Sequence, residues 1–160
     1  MKVKDIVAED FINYKLPSMF IISATCDWKC CTEQGMGPEL CQNSGIASMP
    51  VIDVDDESIY QLFHTNDITK AVVVGGLEPF LQFDELLRLI QTFREHGELC
   101  DFIIYTGYEP GEISDELARL AELKNIIVKF GRYIPNQVSV YDEILGVTLA
   151  SPNQRAVRIS

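Results

Sequence analysis

The chain has 160 residues, 47% of them hydrophobic, which is the size of one domain with an ordinary core. Its formal net charge is −11 and its 13 Lys and Arg residues are scattered, which argues against nucleic acid as a partner. Charges stand where a signal peptide has an apolar segment, and no run approaches the ~20 apolar residues of a membrane span, so we expect a cytoplasmic protein without a membrane partner.

Apolar runs typical of buried strands alternate with helical patterns along the chain. The predicted strands cover residues 19–24, 71–75, 101–105, 126–130 and, more briefly, 156–159. The predicted helices cover residues 57–64, about 83–96, and 114–123 with Ser114 as the N-cap. This alternation predicts one α/β domain over residues 1–160 with a mainly parallel sheet. The strands are too few for a full eight-stranded barrel, so a partial barrel or an open sheet fits the length.

Three unusual stretches follow the first three predicted strands directly. They are a cysteine-rich loop, then Gly75-Gly-Leu-Glu-Pro79, then Thr106-Gly-Tyr108. The functional site of either architecture lies at the C-terminal ends of the strands, so we expect these stretches to converge.

Four of the five cysteines lie between residues 26 and 41, and Cys100 stands apart as an expected buried bystander. Cytosolic thiols are mostly reduced, which disfavours a disulfide, and thiolates are soft ligands for zinc or iron–sulfur. Adjacent residues of an extended chain point in different directions, which disfavours joint ligation by Cys30 and Cys31. Three good ligands are one short of a closed zinc site. A cubane with three cysteines keeps one iron open, so the spacing favours iron–sulfur over zinc.

Several motifs in chain order resemble those of radical S-adenosylmethionine enzymes, most closely the anaerobic ribonucleoside-triphosphate reductase activating proteins. Cys26-x3-Cys30 resembles the start of the family's C-x3-C-x2-C loop, and Gly75-Gly-Leu-Glu-Pro79 resembles its G-G-E-P motif. The other matching segments are Tyr105-Thr-Gly-Tyr108, Phe130-Gly-Arg-Tyr133 and Ser151-Pro-Asn-Gln-Arg155. The resemblance covers about residues 18–159.

The resemblance implies a partial (β/α) barrel of the radical S-adenosylmethionine type, with residues 25–44 as the loop that binds a [4Fe–4S] cluster. The implied activity is reductive cleavage of S-adenosylmethionine to methionine and a 5′-deoxyadenosyl radical. That radical would abstract a glycine hydrogen from a partner, the large glycyl-radical subunit of an anaerobic ribonucleotide reductase. The resemblance also implies an external electron donor such as flavodoxin or ferredoxin.

One departure concerns the third cysteine of the motif, whose position is occupied by Glu33. We infer that Cys41 supplies the missing ligand through an enlarged loop, which gives Cys26, Cys30 and Cys41 as the metal ligands. Two alternatives stay open, namely that Cys31 is the third ligand or that the cluster has been lost.

The resemblance also implies the residues that contact the cofactor. Gly75, Gly76 and Glu78 are expected to bind the methionine ammonium of S-adenosylmethionine, although the inserted Leu77 distorts the motif. Thr106 and Tyr108 are expected near the cofactor or the radical target. Trp28 either covers the cluster, stacks on adenine or packs in the core. Arg132, Asn153, Gln154 and Arg155 would anchor a carboxylate, shape the last strand or face the partner.

Two rival function classes remain at this point. One is a non-catalytic zinc or iron–sulfur module that keeps the fold for interaction, which the displaced third cysteine favours. The other is a radical enzyme acting on a small molecule or a peptide, which the absence of room for a substrate domain disfavours.

Overall fold

The computed structural model describes residues 1–160 as nine strands and five helices. The strands are β1 (Lys2–Asp10), β2 (Ser18–Ser23), β3 (Ile52–Asp53), β4 (Ala71–Gly75), β5 (Asp101–Tyr105), β6 (Ile126–Phe130), β7 (Val140–Asp142), β8 (Val147–Leu149) and β9 (Arg155–Arg158). The helices are α1 (Lys29–Thr32), α2 (Ser44–Ala47), α3 (Asp56–His64), α4 (Phe83–Glu95) and α5 (Ser114–Ala121). Short 3₁₀ turns cover Pro38–Leu40, Pro79–Gln82 and Pro110–Glu112.

Seven strands form one sheet in the order β3-β1-β2-β4-β5-β6-β9. The four central strands, β2, β4, β5 and β6, run parallel. Strands β1 and β9 pair antiparallel with β2 and β6, and β3 pairs antiparallel with β1. The α/β class and the parallel central strands are therefore confirmed. The sheet as a whole is mixed and open, with β3 and β9 at its edges, and it does not close into a barrel.

The central strands are buried on both faces, which explains their continuous apolar runs. On one face, Val72 and Val74 of β4 pack with apolar residues of α3, α4 and α5 in the main core. On the other face, Val73 packs in a smaller cluster with Leu145 and Leu149, from the β7–β8 hairpin and the turn within it. The helices thus cover one face and the hairpin covers the other.

The helices follow the predicted amphipathic patterns, with one correction at a helix start. Helix α4 ends at Glu95, and Gly97 follows with φ of 78°, a conformation that favours glycine. The prediction of Ser114 as the N-cap of α5 is wrong, because Ser114 is the first helical residue and Ile113 precedes it. Ile113 separates the 3₁₀ turn from the helix and occupies the N-cap position, where its side chain forms no capping hydrogen bond.

Strand β1 and the β7–β8 hairpin were not predicted from the sequence. Strand β1 carries five charges in nine residues, and its exposed residues alternate with buried ones because it lies near an edge of the sheet. The hairpin strands have only three residues each, too few for a periodic signal. None of the helices has the length and apolar character needed to cross a membrane.

Candidate metal centre

A cavity of about 120 Å³ lies at the C-terminal ends of the parallel strands. Most of the predicted site residues line it: Cys26, Trp28, Cys30, Cys41, Gly76, Glu78 and Thr106. Gly75 and Tyr108 are outside its lining. Cys31 also lines it, so all four clustered thiols face one space. The three stretches expected to converge do so.

Trp28, in the first half of the cysteine loop, has a left-handed backbone conformation. Trp28 has φ of 62°, and its carbonyl accepts hydrogen bonds from the amides of Cys31 and Thr32 at 2.9 and 3.0 Å, which starts α1. Cys30 and Cys31 therefore lie on a helical turn, where neighbouring side chains diverge by about 100°. The assumption of an extended chain at these two residues is wrong, and both thiols reach the same cavity.

The second half of the loop is fixed by polar contacts. The Asn43 side-chain amide donates a hydrogen bond to the Gly76 carbonyl at 2.6 Å and joins the loop to the end of β4. The Lys4 ammonium donates hydrogen bonds to the carbonyls of Ala47 and Met49 at 2.9 and 2.6 Å. These bonds hold the exit of the loop against β1 and β4.

Two of the three predicted ligands, Cys26 and Cys41, share one local feature, a backbone amide that donates to the sulfur. The amide of Trp28 donates to Cys26 Sγ and the amide of Asn43 donates to Cys41 Sγ, each at 3.4 Å. Hydrogen bonds to sulfur stabilise the thiolate form and tune an iron–sulfur centre. Burial raises the pKa of Cys26 to about 12 and also raises that of Cys30, and the positive charge of a bound metal would favour the thiolate instead.

Cys31 differs from Cys26 and Cys41. It is only 1% exposed, it belongs to neither apolar core, and no backbone amide donates to its sulfur. It lines the cavity together with Cys41. Cys31 is thus a buried thiol on the cavity wall beside a predicted ligand.

The donor set fits an iron–sulfur cluster in its chemistry. Thiolates are the ligands that such clusters take, and the backbone at Gly107 approaches closely enough that a Cβ there would lie 2.6 Å from Cys30 Sγ. A wall without a side chain at this point leaves space around the sulfur. No group of three or more Cys, His, Asp or Glu side chains is positioned to hold a single metal ion.

Glu78 is 5% exposed and joins the ends of β4 and β5. Its Oε1 accepts hydrogen bonds from the Thr106 hydroxyl at 2.7 Å and the Phe80 amide at 3.2 Å, and its Oε2 accepts one from the Gly107 amide at 2.9 Å. Burial raises the pKa of Glu78 despite these bonds. The carboxylate positions residues 106–107, and Oε2 retains one acceptor position.

The two glycines before Glu78 have packing roles. A Cβ at Gly75 would lie 2.8 Å from Cβ of Tyr105, and a Cβ at Gly76 would lie 2.8 Å from Cγ2 of Ile22. Gly76 also has φ of 76°, which favours glycine. Close strand packing therefore explains both glycines, and only Gly76 also reaches the cavity.

Glu33 occupies the position of the third cysteine of the motif and belongs to a surface ion-pair network. Arg132 pairs with both carboxylate oxygens of Glu33 at 2.8 and 3.0 Å and with Glu112 at 2.8 Å. Lys29 pairs with Glu112 as well. Arg132 holds the pKa of Glu33 below its usual value and that of Glu112 at about 2. The network joins α1 to the loops after β5 and β6.

Tyr108 is part of the same surface. Its hydroxyl donates to Asp27 at 2.7 Å, and its ring lies 5.3 Å from the Lys29 ammonium and 5.5 Å from the Arg132 guanidinium.

Of the C-terminal residues with undecided roles, Gln154 lines the cavity and Arg155 pairs with Glu109 at 3.0 Å. The Asn153 side chain donates to the Arg132 carbonyl.

Lys129 is a cavity residue that sequence reasoning missed. It lies on β6, is 6% exposed, and burial lowers its pKa to about 8. Its ammonium donates to the Gly131 carbonyl at 3.3 Å and forms no ion pair with a carboxylate. It also borders an adjoining cavity of about 250 Å³. A lysine inside the apolar run Ile126-Ile-Val-Lys-Phe130 was the signal that could have identified it.

Three comparisons with known proteins were made for the chain, and one of them bears on this site. A family model described as a 4Fe-4S single cluster domain matches residues 19–154. Comparisons with curated proteins and with solved structures gave no significant match.

Proposed function

Because the chain belongs to the family of 4Fe-4S single cluster domains, we propose that Cys26, Cys30 and Cys41 are the ligands of its [4Fe–4S] cluster. The observation that carries this proposal is that all three cysteines line one cavity, where the sulfurs of Cys26 and Cys41 each accept a backbone hydrogen bond. Cys41 reaches the cavity by the enlarged loop and takes the role that Glu33 does not fill.

We propose further that the protein cleaves S-adenosylmethionine reductively, since this family occurs in radical S-adenosylmethionine proteins. When bound, the cluster supplies one electron to the sulfonium of S-adenosylmethionine, which gives methionine and a 5′-deoxyadenosyl radical. The open sheet would then correspond to the partial (β/α) barrel of that superfamily. Five resembling motifs in chain order support the proposal.

The polar side chains of the cavity fit the amino-acid part of this cofactor. Lys129 is a buried cation without an acidic partner, which suits a carboxylate, and Glu78 Oε2 has an acceptor position for an ammonium group. Trp28 lines the same cavity with an aromatic surface suited to adenine. Thr106 holds Glu78 in place. These groups bind and orient, and they exclude water from the sulfonium.

The substrate proposed for the radical is a glycine of a large glycyl-radical enzyme subunit, with an external flavodoxin-like or ferredoxin-like electron donor. The cavity lies at the C-terminal ends of the parallel strands. A protein partner that covers this end of the sheet would shield the radical from water.

Anaerobic reconstitution with iron and sulfide tests the cluster. We expect a brown protein with about four irons per chain. Stoichiometric zinc without colour would overturn the proposal. With S-adenosylmethionine and dithionite, the reconstituted protein should form 5′-deoxyadenosine, and a cluster-containing protein that forms none would disprove the enzymatic part alone.

A second candidate is a non-catalytic iron–sulfur module. The observation that favours it is Glu78, whose three internal hydrogen bonds account for most of its capacity without any ligand. Calorimetric titration with S-adenosylmethionine separates the two, because the module would hold iron without binding the cofactor.

A further inference from the structure

Cys31 is the one thiol of the cavity to which neither the sequence motif nor the proposed function gives a role. Its burial is not explained by apolar packing, since it belongs to neither core cluster. Cys100 provides the contrast, because it packs against the main core and does not line the cavity. A buried thiol that lines the cavity with the three proposed ligands is placed for chemistry at that site.

We propose that Cys31 is a fourth cysteine ligand of the cluster, bound to the iron that three thiolates leave open as long as no cofactor occupies it. This inference rests on the proposed cluster and concerns the regulation of the same site. All four thiols line one cavity, which gives each iron of a cubane one cysteine.

The adjacency of Cys30 and Cys31 does not oppose this assignment. On a helical turn their side chains diverge by about 100°, so they suit two different irons of one cluster. The sulfurs of Cys26 and Cys41 accept backbone amides that favour the thiolate, whereas Cys31 accepts none. Cys31 is therefore lost more easily than these two ligands.

The exchange of Cys31 for the cofactor at the open iron changes no oxidation state. Ligation by Cys31 would release its thiol proton to water and displace a solvent ligand from the iron. Binding of S-adenosylmethionine through its amino and carboxylate groups would break the sulfur–iron bond, and the proton that the ammonium group loses on binding would return to the Cys31 sulfur. Cys31 then returns to its place beside Cys41. Its ligation would lower the apparent affinity for the cofactor, because only the open fraction binds.

Iron retention under mild oxidation tests the fourth ligand without measuring activity. Reconstituted wild type, Cys31→Ala and the control Cys100→Ala are treated anaerobically with ferricyanide and examined by iron analysis and electron paramagnetic resonance. We expect wild type and the control to keep their iron. Cys31→Ala should lose about one iron in four and show the signal of a three-iron cluster. Equal iron loss by wild type and Cys31→Ala would overturn the inference.

Cofactor affinity gives a second readout with a variant of similar size. Cys31→Ser should bind S-adenosylmethionine about tenfold more tightly than wild type if Cys31 holds the iron in about nine molecules of ten. Unchanged affinity with intact clusters would disprove the role of Cys31 and leave the proposed function standing. Failure of wild type to bind iron at all would instead disprove the proposed function.

Discussion

At the scale of single residues, two of the proposed ligands, Cys26 and Cys41, are distinguished from Cys31 by the amides that donate to their sulfurs. Cys41 and Cys26 show the same contact, from the amide two residues later in the chain. We therefore predict that Cys41→Ala abolishes cluster binding, because three thiolates are needed and Cys31 lacks this stabilisation. Cys31→Ala should keep the cluster under anaerobic conditions. Iron content after reconstitution measures both, with Cys100→Ala as the control, and the reverse pattern would make Cys31 the third ligand.

Gly107 gives a second prediction at this scale. A Cβ there would lie 2.6 Å from Cys30 Sγ, a separation that side-chain atoms do not tolerate. Gly107→Ala should displace Cys30 and reduce cluster occupancy by more than half, while the fold is kept. The matched control is Gly111→Ala, because a Cβ at Gly111 meets nothing within 4 Å. Iron content and circular dichroism measure the two effects, and full occupancy in Gly107→Ala would contradict the placement of Cys30.

Lys129 gives a third prediction, which depends on its proposed contact with a carboxylate. Loss of a hydrogen bond to a charged group costs about 1.5–3 kcal/mol, so Lys129→Met should weaken S-adenosylmethionine binding by roughly one to two powers of ten. Its iron content should not change. Lys124→Met, at an exposed position, is the control. Calorimetric titration with S-adenosylmethionine measures the affinity of each variant. Wild-type affinity in Lys129→Met would show that Lys129 does not contact the cofactor.

At the scale of elements, Asp101 joins the start of β5 to β9 and to the segment before β2. It accepts hydrogen bonds from Arg158 at 3.1 Å and from the Tyr14 hydroxyl at 2.7 Å. Burial raises the pKa of Asp101, but Arg158 and Tyr14 outweigh burial and bring the pKa below its usual value. The stabilisation is therefore present above about pH 3.9, the unfolded value, and is lost as the pH falls through the lower folded pKa.

We predict that Asp101→Asn lowers the free energy of unfolding by about 1–3 kcal/mol at pH 7. The difference from wild type should shrink in strong acid, where Asp101 is protonated in both states. Urea unfolding at both pH values measures this, with the exposed Asp115→Asn as the control. An equal difference at the two pH values would show that the charge of Asp101 plays no part.

The sequence predicts the strands that are buried along their whole length, but not the elements whose conformation depends on tertiary contacts. Strands β4 and β6 are buried along their whole length, so their apolar runs identify them. The charged strand β1 becomes a strand through its pairing with β2 and β3, which no local pattern shows. The direction of Cys31 was missed because it depends on the left-handed conformation of Trp28, which a non-glycine residue adopts only in a particular tertiary context.

At the scale of the whole molecule, the cysteine loop and the sheet are stabilised by different means. Between residues 25 and 51 only Cys31 is buried, whereas the two cores consist of residues from the sheet, the helices and the hairpin. The loop is held by polar contacts such as those of Asn43 and Lys4. The sheet should therefore fold without the cluster, and the cluster should stabilise mainly the loop.

Removal of the cluster by a chelator tests this division. We predict that the cluster-free protein keeps its circular dichroism and unfolds cooperatively. The amides of residues 28–49 should exchange hydrogen faster by on the order of tenfold or more, since a loss of about 1.4 kcal/mol of local stability already has that effect. The amides of β4 and β5 lie in the core of the sheet and should exchange at unchanged rates. Faster exchange throughout the sheet would instead make the cluster part of the folding unit, because the cores alone would then be insufficient to hold the fold.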